Sequence, residues 1–424
     1  MAKSVVSITK GTNAEKMVQE ALDLLGGVTS LIKPNSTVVI KPNAGHPYGP
    51  ETSVNTSAAV LKAVIKEVRK ANPKEIIVAE AAAVGCDTME CFEISGLGKA
   101  AKEAGADKII DIKRETDLIM VPIRDARSDM VKVALPRFLV EAEHIIDVPI
   151  FKSHVSMVFT CALKNLKGVV QDKIHRQMHL TNLAEAMMDL WSVVRADLCI
   201  ADMIRPAEGF GPHSTLPVDF GCIVAGKDPV AVDATVCRMV GLDVKKVPYF
   251  KPANECGLGN FQENRIEILG KTIDQVFKQL WLPYLGGFEA WPEYKIHAKN
   301  ACSSCQGLLA FTMERLKAMG EYDKHAGLDI YVGAKKDLPP GVDPSQVILF
   351  GDCVKRHRGK GIFVDGCPPG ESSPLWSILN RQDSEHRVRV PRTAAQEAAY
   401  TQQFIDHMKK MSARVKAENK GRKK

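Results

Sequence analysis

The sequence contains no run of roughly eighteen uncharged apolar residues, so no membrane-crossing helix is expected in its 424 residues. Its start, MAKSVVSITKG, has no long apolar stretch and no small-residue cleavage site, which argues against a secretory signal. The glycine run Gly96-Leu97-Gly98-Lys99 has neither the phosphate-loop spacing nor the dinucleotide fingerprint. A serine nucleophile elbow is missing too. Nucleotide binding and serine hydrolysis therefore have no positive support. There is no internal repeat, and an odd count of 11 cysteines argues against a disulfide framework.

The body of the chain also lacks net charge. Eight Lys and Arg lie between Met408 and Lys424 against one acid, Glu418, which matches the +7 of the whole chain. Residues 1–407 are formally neutral, so a global nucleic-acid-binding surface is not expected. With 45% hydrophobic and 25% charged residues, the chain has an ordinary globular composition, which excludes wholesale disorder and fibrous repeats. A soluble, cytoplasmic protein of two or three domains is expected.

The first 250 residues alternate β-rich runs with helical periodicity. Strands are expected at 37–43, 75–81, 108–113, 144–151, 197–203 and 220–225. Helices are expected at 57–71, 98–104, 180–194 and 229–240. This alternation predicts an α/β fold with a mostly parallel sheet flanked by helices. A second, smaller α/β domain containing cysteines should follow, with strands at 328–332, 347–351 and 361–364 and a helix at 308–319. The expected organisation is an α/β domain with a basic pocket at 1–260, a connecting segment at 261–300, a cysteine-containing module at 301–385 and a helical, basic tail at 386–424.

Ligands of parallel sheets bind beyond the carboxyl ends of the strands. Three such ends carry basic or polar residues here: Lys41, Asn43 and His46 after the first strand, Lys152 and His154 after the fourth, and the Arg205–His213 loop after the fifth. The stretch 151–179 adds Lys164, Lys167, Lys173, His175, Arg176 and His179, with Asn165 as a neutral donor and acceptor. Such density suits an anion pocket, with His154 as the proton-transfer candidate because an unperturbed imidazole titrates near neutrality. The same residues also suit a solvated face. A mononuclear metal hydrolase using His46, His154, His175 or His179 lacks recognisable ligand spacing. Asp228 before Pro229 reads as a helix cap, and Asp233 as either structural or site-directed.

The later cysteines form C-x2-C (Cys302, Cys305) followed by Cys353 and Cys367, each flanked by glycine or a helix start. Four thiolates presented this way suit an iron–sulfur cluster, expected as [4Fe-4S], with zinc or a plain thiol set as alternatives. The other seven cysteines read as buried apolar thiols.

Together, ALDLLGG, VVIKPN, EIIVAEA, ISGLGKAAKEAGA, DVPIFKSH, ALKNLKGVV, DMIRPAEGFGP, KDPVAVDA and NECGLGN resemble an uncharacterised family catalogued as domain of unknown function 362, over about residues 21–260. Some members of that family carry iron–sulfur modules. The resemblance implies a shared site at Lys41, Asn43, Lys152, His154, Lys164, Asn165, Gly168, Asp202, Gly209, Gly211, Pro212, Asp228 and Asp233. Within it, Lys152, His154 and Lys164 are the catalytic candidates, and Lys41, Asn43, Asn165, Gly209 and Gly211 the substrate-binding ones. The compact cysteine run of a bacterial ferredoxin is missing, while GCPP at Gly366–Pro369 looks like a cluster-presenting turn of hydrogenase-type small subunits. The resulting expectation is an iron–sulfur oxidoreductase acting on a small anionic molecule with a redox partner protein. The alternative is a non-catalytic carrier or assembly factor for a cluster or metallocofactor.

Overall fold

The computed structural model describes residues 3–155, 157–282, 290–298, 301–333, 337–338, 340–370, 373–384 and 394–421. The chain divides into two compact units: Met1–His154 with Phe159–Leu282, and Val155–Val158 with Pro283–Lys424.

The first unit is built on β1 (Ser4–Lys10), β2 (Thr37–Pro42), β3 (Glu75–Glu80), β4 (Lys108–Asp111), β5 (His144–Val148), β6 (Ile150–His154), β7 (Leu198–Phe210), β8 (Cys222–Gly226) and β9 (Ile266–Gly270). The main path of the sheet runs β9-β1-β8-β7-β5-β2-β3-β4, and β6 pairs with β7. All pairings along this path are parallel except β1–β8 and β7–β8. The expected mostly parallel α/β sheet is therefore present.

Two strands on the main path of this sheet escape sequence reading. The alternating SVVSITK forms β1, and β9 pairs parallel to it, so the expected connecting segment at 261–300 supplies a strand of the main sheet. Residues 283–289 and 299–300 of that segment lie outside the described residues. The expected strand at 144–151 is broken into β5 and β6 at Pro149, which has no N–H to give the ladder; its carbonyl accepts from Asp202 N at 2.7 Å.

Helices cover the sheet by burying one stripe each. In Ala58–Lys70, Val60, Leu61, Val64, Ile65 and Val68 are fully buried against Val38, Ile40, Ile76 and Val78 of the central strands. Burying each such side chain contributes about 1.5–3 kcal/mol over leaving it in water. The helix starts at Ser57, whose side chain accepts from Val60 N and whose own N–H donates to Asp202 Oδ2 at 2.9 Å.

The second unit has a four-stranded parallel sheet, β10 (Lys295–His297), β11 (Asp329–Val332), β12 (Val347–Phe350) and β13 (Ile362–Val364), in chain order. Residues alternate between its faces as strand periodicity requires. Ile330, Val332, Ile348, Phe350, Ile362 and Val364 pack beneath Leu309, Met313 and Leu316 of helix Ser303–Ala318, and Leu375 and Ile378 of helix Ser373–Asn380. Tyr331, Val347, Leu349 and Phe363 form the core of the other face. Helix Ala394–Gly421 lies in the expected tail, and its Phe404 packs edge-on against Phe311 at 5.5 Å between ring centroids. Residues 385–393 and 422–424, with Arg422, Lys423 and Lys424 of the basic run, lie outside the described residues. No helix among the described residues is long and apolar enough to cross a membrane.

Candidate functional site

The carboxyl ends of β2, β3 and β5 bring a buried polar network together. Lys41 lies opposite Asp147 in the β2–β5 register, and Glu80 ends the neighbouring β3. Lys41 Nζ donates to Glu80 Oε2 at 2.7 Å, to the Pro42 carbonyl at 2.8 Å and to Asn165 Oδ1 at 3.3 Å. Asn165 Nδ2 donates to Asp147 Oδ1 at 2.7 Å and to the Lys41 carbonyl at 3.2 Å. Asn43 Nδ2 donates to Asn165 Oδ1 at 2.9 Å, while Asn43 Oδ1 accepts from Lys152 Nζ at 3.0 Å. Lys152 also donates to the Val54 carbonyl.

These contacts redistribute the expected roles. Lys41 is 1% exposed and its ammonium is fully engaged by internal acceptors, so it holds β2, β3 and Asn165 together instead of facing a ligand. Asn43 and Asn165 likewise spend their amides inside the network. Burial raises the Glu80 carboxyl, with Lys41 and the Ala44 and Ala81 amides opposing, and burial raises Asp147 well above the usual carboxylate range. Gly168 is required here: a Cβ would come within 2.0 Å of Glu80 Oε1 and 2.6 Å of Lys41 Cε.

Beyond this network lies a group of cations and imidazoles. Lys152 is pushed down to about 7 by burial and the nearby Lys164, and Lys164 down to about 8 by burial. His154 is buried and held well below its ordinary value by desolvation, Lys164, His179, Lys152 and Lys167. It is therefore neutral at neutral pH, so the reason for expecting proton transfer from an unperturbed imidazole does not apply to it. Lys167 Nζ lies 2.6 Å from His179 Nε2, and His175 Nε2 lies 2.7 Å from the Lys167 carbonyl. Within electrostatic reach of Lys152 and Lys164, His46 and His213 meet edge-to-face with ring centroids 4.0 Å apart. His46 is lowered by burial, His213, Lys152 and Lys164; His213 is lowered to about 4 by burial, Lys152 and Lys164. His213 Nδ1 is buried and has no hydrogen-bond partner among the described residues.

Nearby segments position these groups. Asp233, inside helix Pro229–Met239, accepts from Ala162 N at 2.7 Å and Leu163 N at 3.1 Å, which fixes the turn Ala162–Asn165 that carries Lys164 and Asn165. Asp228 caps that same helix, accepting from Val230 N and Ala231 N, as its proline-flanked position implied. Gly211 N donates to Ser153 Oγ at 3.1 Å, and a Cβ at Gly211 would lie 1.8 Å from the Ser153 carbonyl. Gly209, in the left-handed region at φ 104, donates its N–H to the Trp281 carbonyl at 3.2 Å. Both glycines therefore permit close backbone packing of the strand end that leads to His213.

Glu80 and Asp147 were not expected from sequence as site residues. Their signal was an acid within an otherwise apolar strand, in EIIVAEA and HIIDVPIF, where an uncompensated charge would be costly.

In the second unit, all four late cysteines meet at one end of the small sheet. Cys302 precedes helix Ser303–Ala318; its thiol is drawn down to about 6 by the Cys305 thiol and the first-turn amides. Cys305 is buried and its thiol is pushed up by Cys302, by burial, and by Cys353 and Cys367. Cys353 follows β12 and is raised by burial, Cys367 and Cys302, so the four thiols lie within electrostatic reach of one another. Both Cys353 and Cys367 are exposed. The turns bearing them are interlocked: Asp352 N donates to the Gly366 carbonyl at 3.0 Å and Gly366 N to Asp352 Oδ1 at 2.9 Å. Gly351 and Gly366 adopt φ of 88 and 117, as a sharp exit from each strand requires.

Among the described residues no group of three or more His, Cys, Asp or Glu side chains is arranged to hold a metal ion. The donor set, four thiols on two strand exits and a helix start, is of the chemical kind that iron–sulfur clusters and zinc both use.

Residues 38–238 match the family model described as Domain of unknown function (DUF362). A thylakoid-associated protein of Synechocystis sp. (strain ATCC 27184 / PCC 6803 / Kazusa) is 26% identical over 248 residues, covering 56% of this chain and 73% of that protein. Among solved structures, the lactate racemase apoprotein from Thermoanaerobacterium thermosaccharolyticum is 15% identical, with a TM-score of 0.33, covering 47% of this chain and 50% of its own. A protein from Thermotoga maritima is 14% identical, with a TM-score of 0.37, covering 55% of this chain and 60% of its own. The chain thus spans about half the length of the first of these structures and three fifths of the second.

Proposed function

We propose that this is a cytoplasmic iron–sulfur oxidoreductase that binds a small anionic substrate, with the cluster, a [4Fe-4S], held by Cys302, Cys305, Cys353 and Cys367. The observation carrying the reading is the gathering of these four thiols, from positions far apart in sequence, at one end of the second unit's sheet. When bound, such a cluster supplies one-electron transfer.

The anion would be held in the first unit by Lys152 and Lys164, with His154, His46 and His213 as neutral hydrogen-bonding walls. Among the described residues Lys164 has no carboxylate partner, and Lys152 has a third N–H beyond its two acceptors. An anion beside these ammonium groups would restore their protonation and raise the neighbouring imidazoles toward neutrality. His154 could then take up a proton on binding and return it. Lys41, Asn43 and Asn165 serve as the frame of this pocket.

A second reading is favoured by the exposure of Cys353 and Cys367. Ligands open to solvent suit a carrier that transfers its cluster to another protein. Anaerobic purification followed by iron and sulfide analysis, with visible and EPR spectra, tests both readings. About four irons and four sulfides per chain are expected. A colourless, iron-free protein would overturn both. Rapid loss of the cluster to an apo-acceptor, without turnover of any substrate, would select the carrier.

A further inference from the structure

Cys86 was grouped by sequence with the buried apolar thiols, but it is half-exposed and belongs to a cluster that neither the cysteine set nor the anion pocket uses. The Cys91 thiol, 0% exposed, lies close enough for the two thiols to perturb one another. On its other side, Cys86 Sγ lies 3.7 Å from His46 Nδ1. The loop carrying Cys86 is fastened at several points. Lys113 Nζ donates to the Ala83 and Cys86 carbonyls at 2.8 and 2.9 Å, and Lys113 pairs with Asp172 at 2.9 Å. Ala83 N donates to the Gly45 carbonyl at 2.9 Å, one residue before His46.

We propose that Cys86 and Cys91 form a reversible dithiol–disulfide site that reacts with low-molecular-weight disulfides, Cys86 attacking and Cys91 resolving. The difference in exposure assigns the roles: of the two thiols only Cys86 can be reached from solvent, and the buried Cys91 is the thiol beside it. In the first step the Cys86 thiolate attacks one sulfur of a disulfide RSSR, forming Cys86–S–S–R and releasing RS⁻. In the second, Cys91 attacks the Cys86 sulfur, closing the Cys86–Cys91 bond and expelling the second thiol as RSH, which carries away the Cys91 proton. Two protein thiols are oxidised while one small disulfide is reduced to two thiols.

The Cys86 thiol is lowered to about 7, chiefly by the neighbouring Cys91 thiol and also by Lys113, with burial, Glu90 and Asp172 opposing. An attacking thiol with a pKa near ambient pH is close to the optimum for exchange. Near neutrality the larger thiolate fraction outweighs the lower intrinsic nucleophilicity, leaving Cys86 about threefold faster than an unperturbed thiol. Because Cys86 touches His46, closing the disulfide would also remove a negative charge and a hydrogen-bonding group from the wall of the anion pocket.

The test uses the full-length protein, reduced, exposed to oxidised glutathione near neutral pH and quenched by alkylation. Trypsin releases residues 75–99 as one peptide that contains both cysteines. The expected result is that this peptide loses two hydrogens and regains them with dithiothreitol. In Cys91→Ser, glutathione should remain trapped on Cys86; in Cys86→Ser, Cys91 should stay a free thiol. If either variant does not fold, the wild-type alkylation rate of Cys86, about threefold above that of an unstructured cysteine peptide, provides an independent readout. A stable glutathione adduct on wild-type Cys86 with Cys91 still free would overturn the proposal, as would an unoxidised 75–99 peptide while Cys256 becomes glutathionylated.

Discussion

The polar network of the first unit and the thiol set of the second handle reactive groups in opposite ways. Lys41, Glu80, Asn165 and Asp147 are buried at 0–2% exposure and satisfy one another, so the network is finished before any ligand arrives. The four thiols of the second unit perturb one another but leave Cys353 and Cys367 open to solvent. A buried network of this kind fixes geometry, because the loss of any member strands another in a low-dielectric interior. An exposed thiol set costs little to leave unfilled, and so contributes stability only through what it binds. The first is a frame and the second a receptacle.

That contrast breaks most visibly at Glu80. Glu80→Ala leaves Lys41 buried without its carboxylate and should destabilise the first unit by about 3–5 kcal/mol in a denaturant titration. If the cost were under 1 kcal/mol, the network would not be the frame described. Asp233→Ala removes the acceptor of two amides at Ala162 and Leu163, and about 2–4 kcal/mol is expected. Its sharper consequence is a weakened anion pocket, since Lys164 and Asn165 lose their anchor. Calorimetry with sulfate reports that loss separately from stability.

Lys164→Met should act oppositely, leaving stability unchanged or raised while sulfate binding falls roughly tenfold, the share of one charge-assisted hydrogen bond. The pH dependence has a definite sign. Lys152 and Lys164 keep their protons below about 7 and about 8, so sulfate should bind best below pH 7 and weaken as pH rises through those values. Both groups sit below the ordinary lysine value, so between pH 7 and about 10 the unfolded chain binds more protons than the folded one, and stability from these residues rises with pH. The thermal shift produced by sulfate should therefore be larger at pH 6 than at pH 9. The smallest effect belongs to the thiol set. Cys353→Ser, at an exposed position, should change the stability of the metal-free protein by no more than about 0.5 kcal/mol while abolishing any cluster chromophore.

Sequence periodicity located most of the central strands and placed Lys152, His154 and Lys164 at their ends, because strand polarity alone decides where such residues emerge. It did not reveal which ammonium was free. Lys41 and Lys152 both follow apolar runs, yet Lys41 is neutralised by Glu80, 39 positions away, and only folding brings the two together. The sequence likewise gave no sign that Cys86 differs from Cys91: solvent and His46 reach the first and not the second. The strands β1 and β9 were missed for a related reason. Their identity lies in their pairing, β9 with β1 and β1 with β8.

That pairing has a consequence for how the molecule is made. β1 leaves the ribosome well before its two neighbours, β8 and β9, which end at Gly226 and Gly270. Until Gly226 has been synthesised SVVSITK has neither partner, and its second edge stays open until Gly270; such a segment is the kind that nascent-chain chaperones hold. Asp233, which secures the Lys164 turn, also emerges only after the pocket lysines have been made. The anion pocket is therefore among the last parts of the first unit to become competent, and a ribosome stalled before residue 233 would display its lysines without the latch that orders them.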